Sequence, residues 1–330
     1  MTFKVGYAQS SEERTPEELV RYARQAEETG FTFSSISDHF HPWTDAQGQS
    51  PFVWSIIGGI AQVTQSSGLV TTVTCPIMRT HPAIIAQAAA TSAAMMPGRF
   101  MLGVGSGEAL NEHVLGDQWP PASTRIEMLE EAVHIIRELW KGEYFTFYGD
   151  YFTVETARIY TLPDELPPIM FAAGGKKSAE LAGRIGDGLI STQPNKETID
   201  AFNAAGGQGK PKIGQLKVCY APTEAEAAKT ALKYWPTSAI PGESNRELPL
   251  PAHFQELGEL VTDEQIKKAI VCGPDPQKHI DAMNEYAKAG FDHIAVGQCG
   301  PDQESFFRFN EEKVVPKLDL SRERALAAAR

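Results

Sequence analysis

Along this chain, short apolar runs alternate with longer stretches in which apolar residues recur every three or four positions. Eight such runs, at 3–7, 32–37, 69–74, 100–104, 168–172, 188–192, 214–220 and 291–297, read as buried strands. The stretches between them predict helices. In the first, Thr15-Pro16 supplies a cap and a first-turn proline, Leu19, Tyr22, Ala23 and Ala26 share one face, and Gly30 ends the helix. The same punctuation returns near the C-terminus, where 281–289 is helical, Gly290 stops it and Phe291 starts a strand. AEETGFTFSSIS and EYAKAGFDHIAVG thus predict two copies of one helix-glycine-phenylalanine-strand unit. That echo, with strand and helix alternating throughout, favours a TIM (β/α)8 barrel over an open doubly wound sheet.

Two stretches break the repeat. YFTFYGDYFTVE at 144–155 reads as a hairpin, and 235–262 is rich in proline. Both are expected as rim insertions of a single domain spanning 1–330, and long insertions of this kind build lids or substrate walls. At 330 residues the chain has length enough for one large barrel. It has 42% hydrophobic residues but no apolar run near the roughly 20 residues that cross a bilayer, so no membrane association is expected. The N-terminus lacks a basic segment followed by an apolar one, so the mature protein is expected to begin at or near Met1. Cys75, Cys219, Cys272 and Cys299 form no CxxC pair and sit near apolar runs, which suits free thiols in the cytoplasm. With 30 basic against 42 acidic residues, a net charge of −12 and no basic run, nucleic acid is excluded as a partner.

The chemistry concentrates at strand ends. SDHFHPW, at 37–43, crowds an acid, two imidazoles and an indole after the second strand, where α/β proteins place their ligand sites. An HxH pair there also opens the metal site of amidohydrolase-type barrels, but the fifth and sixth strands end in AAGG and ST, without further ligands, so no metal is expected. GVGSGEALNE, at 103–112, follows the fourth strand; its alternate glycines let backbone approach a ligand, and Glu108 and Asn111 lie one helical turn apart. Glu108 stands where a GxGxxG fingerprint needs glycine, which disfavours nicotinamide binding in the Rossmann manner. In MFAAGGKKSAEL, at 170–181, a helix opens after Gly174-Gly175 with Lys176 and Lys177, either a phosphate seat or a solvated helix end. VTTVTCPIMR, at 70–79, is a β-branched strand running into Cys75-Pro76.

In this order and spacing, SDHFHPW, VTTVTCPIMRTHPAIIAQ, GVGSGEALNE and AAGGKKSAELAGRIGDGL resemble the luciferase-like flavin and deazaflavin enzymes. They look closest to the branch that uses coenzyme F420, which contains secondary-alcohol dehydrogenases and glucose-6-phosphate dehydrogenases. The resemblance runs from about residue 3 to 320 and is weak between 193 and 262. It implies a TIM barrel with rim insertions, a homodimer, and coenzyme F420, an 8-hydroxy-5-deazaflavin, held at the carboxyl ends of the strands. Carried over by motif, it implies that Asp38 binds the coenzyme near its ring and that His39 is the base on the substrate hydroxyl. Trp43 then lies beside the reacting carbon, and Glu108 is the acid facing His39. Thr72-Val73 matches a cis bulge behind the ring; Cys75, Ser106, Gly107 and Asn111 match coenzyme contacts, as Gly174 and Gly175 do for its phosphate. Glu12 and Thr192 match positions on the substrate side.

These roles are chemically sensible. Oxidising a secondary alcohol removes hydride from carbon and a proton from oxygen, and an imidazole with a pKa of about 6.5 is suited to take the proton. A partly buried carboxyl with a raised pKa is suited to give one to the reduced ring. Where the sugar-phosphate branch holds its substrate with lysines, this chain has Asn195-Lys196 and Glu256. The expected activity is F420-dependent hydride transfer at a secondary alcohol or sugar hydroxyl, a small-molecule substrate. The alternatives are an FMN-dependent luciferase-like monooxygenase and an F420-dependent sugar-6-phosphate dehydrogenase.

Overall fold

A computed structural model describes residues 3–318. The expected start at Met1 and the tail beyond Leu318 lie outside the described residues. The strands are β1 (Lys4–Gln9), β2 (Phe33–Ile36), β3 (Gly68–Thr71), β4 (Phe100–Val104), β5 (Phe145–Tyr148), β6 (Thr153–Ala157), β7 (Ile169–Ala172), β8 (Gly188–Ser191), β9 (Lys212–Cys219), β10 (Val271–Cys272) and β11 (His293–Gln298). Eight of them pair in parallel in the order β1-β2-β3-β4-β7-β8-β9-β11, and β11 returns to β1 through Lys4↔His293 to Tyr7↔Val296. The barrel is therefore closed, and each of its strands is one of the eight expected runs. The short β10 was not expected. It pairs with Val218 and Cys219, where the long strand β9 outruns its neighbour β8.

The chain punctuation works as its residue types dictate. Thr15 accepts from the Glu18 amide while the Glu18 carboxylate accepts from the Thr15 amide, a reciprocal cap that starts the helix Pro16–Thr29. Gly30 ends it with φ 99°, a left-handed conformation that costs a side chain-bearing residue energy. The echo near the C-terminus matches it: Gly290 has φ 109°, and Phe31 and Phe291 each donate a 3.0 Å backbone bond back to their helix. That second helix is longer than expected, Pro276–Ala289.

Inside the barrel, Phe33, Val70, Met170, Ile190, Ile213 and Ala295 form the plug, and the larger core lies between strands and helices. Strand β3 stops at Thr71, earlier than its apolar run, and the Thr72–Val73 peptide that follows is cis, as expected. Thr71 Oγ1 donates to the Gly103 carbonyl and accepts from the Gly103 amide, both at 2.9 Å, so a side chain continues the ladder where the backbone leaves it. The two insertions part company. The hairpin β5-β6 lies along the helix Ala122–Leu139, whose Glu131 accepts the amides of Asp150, Tyr151 and Phe152. The segment after Trp235 instead lies over the carboxyl ends of the strands, in the short helices Pro236–Ala239, Ser244–Glu247 and Pro251–Gly258. Among the described residues no helix is long and apolar enough to cross a membrane, and the four cysteines are free and buried.

A β-carbon at Gly103 would stand 1.8 Å from the Thr71 carbonyl oxygen, and that oxygen belongs to backbone that cannot swing away. Gly103→Ala is therefore expected to destabilise the protein by about 1–3 kcal/mol or more in denaturant unfolding. An unchanged midpoint would show that β3 and β4 are less tightly apposed than this.

Candidate active site

Every barrel strand that carries a sequence motif delivers it to the carboxyl end, and the loops after β1, β2 and β4 meet there. Glu12, only 2% exposed, accepts hydrogen bonds from Ser10 Oγ at 2.9 Å and Ser37 Oγ at 2.6 Å. His39 Nε2 stands 3.5 Å from Glu12 Oε1 and 3.6 Å from Glu108 Oε2. One imidazole is thus shared by two carboxyl groups from different loops.

The other ring nitrogen has two neighbours. His39 Nδ1 lies 3.2 Å from the His41 carbonyl oxygen and 3.2 Å from Asn111 Nδ2. A carbonyl only accepts and an amide NH2 only donates, so the two contacts suit opposite tautomers; with the proton on Nδ1 the His41 oxygen accepts it, and Nε2 presents a lone pair between the carboxyl groups. Asn111 ties the loops together: its oxygen accepts the amides of Phe40 and His41 at 2.9 and 3.2 Å, and its Nδ2 donates to Glu108 Oε2 at 3.2 Å.

The two carboxyl groups are driven apart. Burial alone would push Glu12 up, but the facing His39 and the hydroxyls of Ser37 and Ser10 together hold it below the usual carboxylate range. Glu108 has the opposite balance: burial pushes it up, and His39 only partly offsets this, while charged Glu12 adds to the rise. Two carboxyl groups with opposite shifts across one imidazole are the arrangement that lets a base and a separate acid share a site.

Trp43 is buried, its ring 5.3 Å from that of His39 and edge-on to Phe254 at 5.1 Å. Asp38 lies behind the cis bulge. Its oxygens accept from Thr74 Oγ1 and Arg79 NH2, both at 2.8 Å, so it braces the loop after β3. Arg79 also reaches Glu112, whose carboxyl burial raises to about 7. Buried Cys75 fills the space beside Gly107: at φ 75°, a β-carbon there would meet Cys75 Sγ at 2.6 Å. Ser106 is half-buried beside it.

A luciferase-like monooxygenase profile matches residues 1–293. The chain belongs to the luciferase-like monooxygenase family. This luciferase-like chain is 35% identical over 327 residues to an F420-dependent glucose-6-phosphate dehydrogenase of Microbacterium testaceum, covering 96% of this chain and 97% of that one. It is 36% identical to the protein of the same description from Nakamurella multipartita, with 96% of each chain covered. Among solved structures it is similar to an F420-dependent secondary alcohol dehydrogenase in complex with an F420-acetone adduct, with a TM-score of 0.89 and 32% identity over 96% of this chain and 99% of that one. The F420-dependent tetrahydromethanopterin reductase of Methanopyrus kandleri, at 19% identity and a TM-score of 0.78, shares the fold.

The remaining expected positions of the luciferase-like chain fall on the same face of the barrel. Gly174 and Gly175 follow β7 and precede the helix Lys176–Ile185, whose start has no side-chain cap. Lys176 and Lys177 are exposed there, and Lys176 leans toward Glu180 at 3.8 Å. Thr192 is exposed just past β8, and its carbonyl accepts from Tyr286 at 2.8 Å. Sequence reasoning missed three charged groups. Glu13 accepts from the indole of Trp235 and the Gly300 amide, both at 2.8 Å. The Lys217 ammonium stands 3.9 Å over the Trp235 ring, and burial lowers its pKa against the pull of Cys299, Glu12, Glu13 and Glu108. Arg246, from the second insertion, rests on Gly174. A lysine in mid-strand, between Leu216 and Val218, was a readable signal for Lys217; Arg246 had none.

The Glu112 shift carries a pH sign. The folded protein keeps a proton up to about 7 that the unfolded chain, at the ordinary 4.5, has already lost, so Glu112 costs the native state stability as pH rises through that interval. Glu112→Gln is uncharged throughout. Its Tm relative to the wild type is expected to rise between about pH 5 and about pH 8, and a relative fall would mean that Glu112 is charged and held by Arg79.

Proposed function

We propose that this protein is a coenzyme F420-dependent oxidoreductase acting on the CH–OH group of a secondary alcohol or sugar hydroxyl. The observation that carries the reading is the His39 ring, its free edge between Glu12 and Glu108 at the carboxyl end of the barrel. The F420-dependent relatives, similar over nearly their whole length, support the coenzyme.

The residues present fit that coenzyme. Nothing lies within 4 Å of where a β-carbon on Gly175 would be, and the helix behind it opens with uncapped amides, as an anionic phosphate requires. The cis bulge at Thr72-Val73, braced by Asp38, offers backbone to the back of a ring. When bound, the deazaflavin supplies the carbon that exchanges hydride with the carbinol carbon.

The protein's own groups manage the proton and the position. In the tautomer with the His39 proton on Nδ1, where the His41 carbonyl accepts it, Nε2 takes the proton of the substrate hydroxyl. Glu12, held charged by two hydroxyls, stabilises the imidazolium that results. Glu108, whose pKa burial raises, is the group suited to give up a proton on the opposite side of His39. Trp43, backed by Phe254, walls the reacting carbon from water. Thr192 lies at the substrate end. Lys196, near the position where a sugar phosphate would want a lysine, is tied to both oxygens of Asp200 at 2.7 Å. Together with Glu256 this favours an alcohol or unphosphorylated sugar. We also propose one domain over the whole chain, working in the cytoplasm as a homodimer; four unpaired thiols and the exposed rings of Phe40 and Phe52 support this.

His39→Ala is expected to lower alcohol-dependent coenzyme reduction by about 10²–10⁴-fold while F420 affinity stays within a few-fold. Full retention of the rate would remove His39 as the base. Glu108→Gln is expected to lower kcat by roughly tenfold or more and to abolish the wild type's loss of activity as pH rises through the raised Glu108 pKa. A variant with an unchanged alkaline limb would assign that limb to another group. Equilibrium titration separates the FMN reading: the wild type should bind F420 far more tightly than FMN, and the reverse order would favour a monooxygenase.

A further inference from the structure

The second insertion carries a cation to the open end of the barrel. Arg246 sits on the short helix Ser244–Glu247, and a β-carbon on Gly174 would come within 2.6 Å of its NH2 nitrogen. The guanidinium therefore lies directly on the first residue of the Gly174-Gly175 turn, beside the uncapped start of the helix Lys176–Ile185. Its NH1 donates to Glu243 at 2.8 Å, whereas NH2 has no hydrogen-bond acceptor among the described residues.

This placement is built from below. The next residue, Glu247, pairs with Arg125 NH2 at 3.1 Å, and the Arg125 side chain is almost wholly buried, donating from NH1 to the Pro120 carbonyl at 2.7 Å and stacking on Trp119 at 4.2 Å. A buried guanidinium on the barrel's helical layer thus anchors the insertion, and the anchor leaves the neighbouring guanidinium aimed at the glycine turn. Arg246 is close enough to Glu108 to act on its carboxyl electrostatically.

We propose that Arg246 is a coenzyme-binding residue, its free NH2 pairing with the phosphate of the F420 tail seated on Gly174-Gly175, so that binding of the tail fastens the 235–262 insertion over the site. The inference rests on the F420 reading above. It adds a charged side chain to a seat otherwise made of backbone amides, and a planar guanidinium holds a phosphate oxygen with direction as well as charge. The chain's overall negative charge makes such a local cation more consequential, since salt leaves fields unscreened over about 8 Å.

The test is equilibrium binding, followed by deazaflavin fluorescence, of F420 and of the same deazaflavin lacking its phosphate tail, to the wild type, Arg246→Ala and Arg246→Lys. Arg246→Ala is expected to weaken F420 binding about tenfold, equivalent to about 1.4 kcal/mol, and to leave the tail-free deazaflavin unchanged. Arg246→Lys should fall between, keeping charge but losing the fork. F420 bound equally well by wild type and Arg246→Ala would overturn the proposal alone, as would equal weakening of both ligands. If the wild type bound neither ligand, the F420 reading itself would fall, and this inference with it. Matching thermal unfolding of the half-exposed Arg246→Ala variant and the wild type keeps misfolding out of the comparison.

Discussion

Everything in this site turns on one imidazole edge placed between two carboxyl groups, one buried and one about a third exposed. Two like charges facing one ring are costly, and the protein sets the two groups apart. Glu12 receives two hydroxyl donors and stays charged; Glu108 receives one amide donor and is pushed toward its neutral form. In the proposed mechanism this asymmetry in hydrogen bonding, not the identity of the residues, decides which carboxyl stabilises a proton on His39 and which gives one away.

The barrel makes that asymmetry possible. Glu12 follows β1, His39 follows β2 and Glu108 follows β4, and parallel strands bring these distant segments to one rim. Asn111 then fixes their mutual distances by using both ends of a single amide on the two loops. Behind them, Thr71 and Gly103 hold β3 to β4 just where the cis bulge departs, and Asp38, Thr74 and Arg79 brace the far side. The reactive groups sit on loops, but each loop is pinned to rigid strands within a few residues, which is what a positioned proton requires.

Much of this was legible in the sequence, and the reason is periodicity. Strand runs, caps such as Thr15-Pro16 and stops such as Gly30 and Gly290 are local signals, and eight repeats of them point to a closed barrel. That His39, Trp43, Glu108 and Asn111 lie together was legible because they cluster in short motifs at strand ends. What escaped was set by tertiary contact alone. Strand β10 has two residues and exists only because β9 overshoots β8. Arg246 acquires its position through Arg125 and Glu247, 121 and one residues away in the chain, and no local pattern encodes that. The contacts of Asp38 with Thr74 and Arg79 likewise come from tertiary structure.

The insertion after Trp235 gives this barrel its individual character. Trp235 locks onto Glu13, Phe254 backs Trp43, and Lys217 lies against the Trp235 ring, so the wall of the substrate space and the core of the insertion are the same residues. The most direct measurement of the account is a crystal structure of the protein with coenzyme F420 and an alcohol or ketone. The expected result places the ring against the Thr72-Val73 bulge and the substrate oxygen within hydrogen-bond reach of His39 Nε2. A ring bound elsewhere, or a substrate oxygen out of reach of His39, would contradict it.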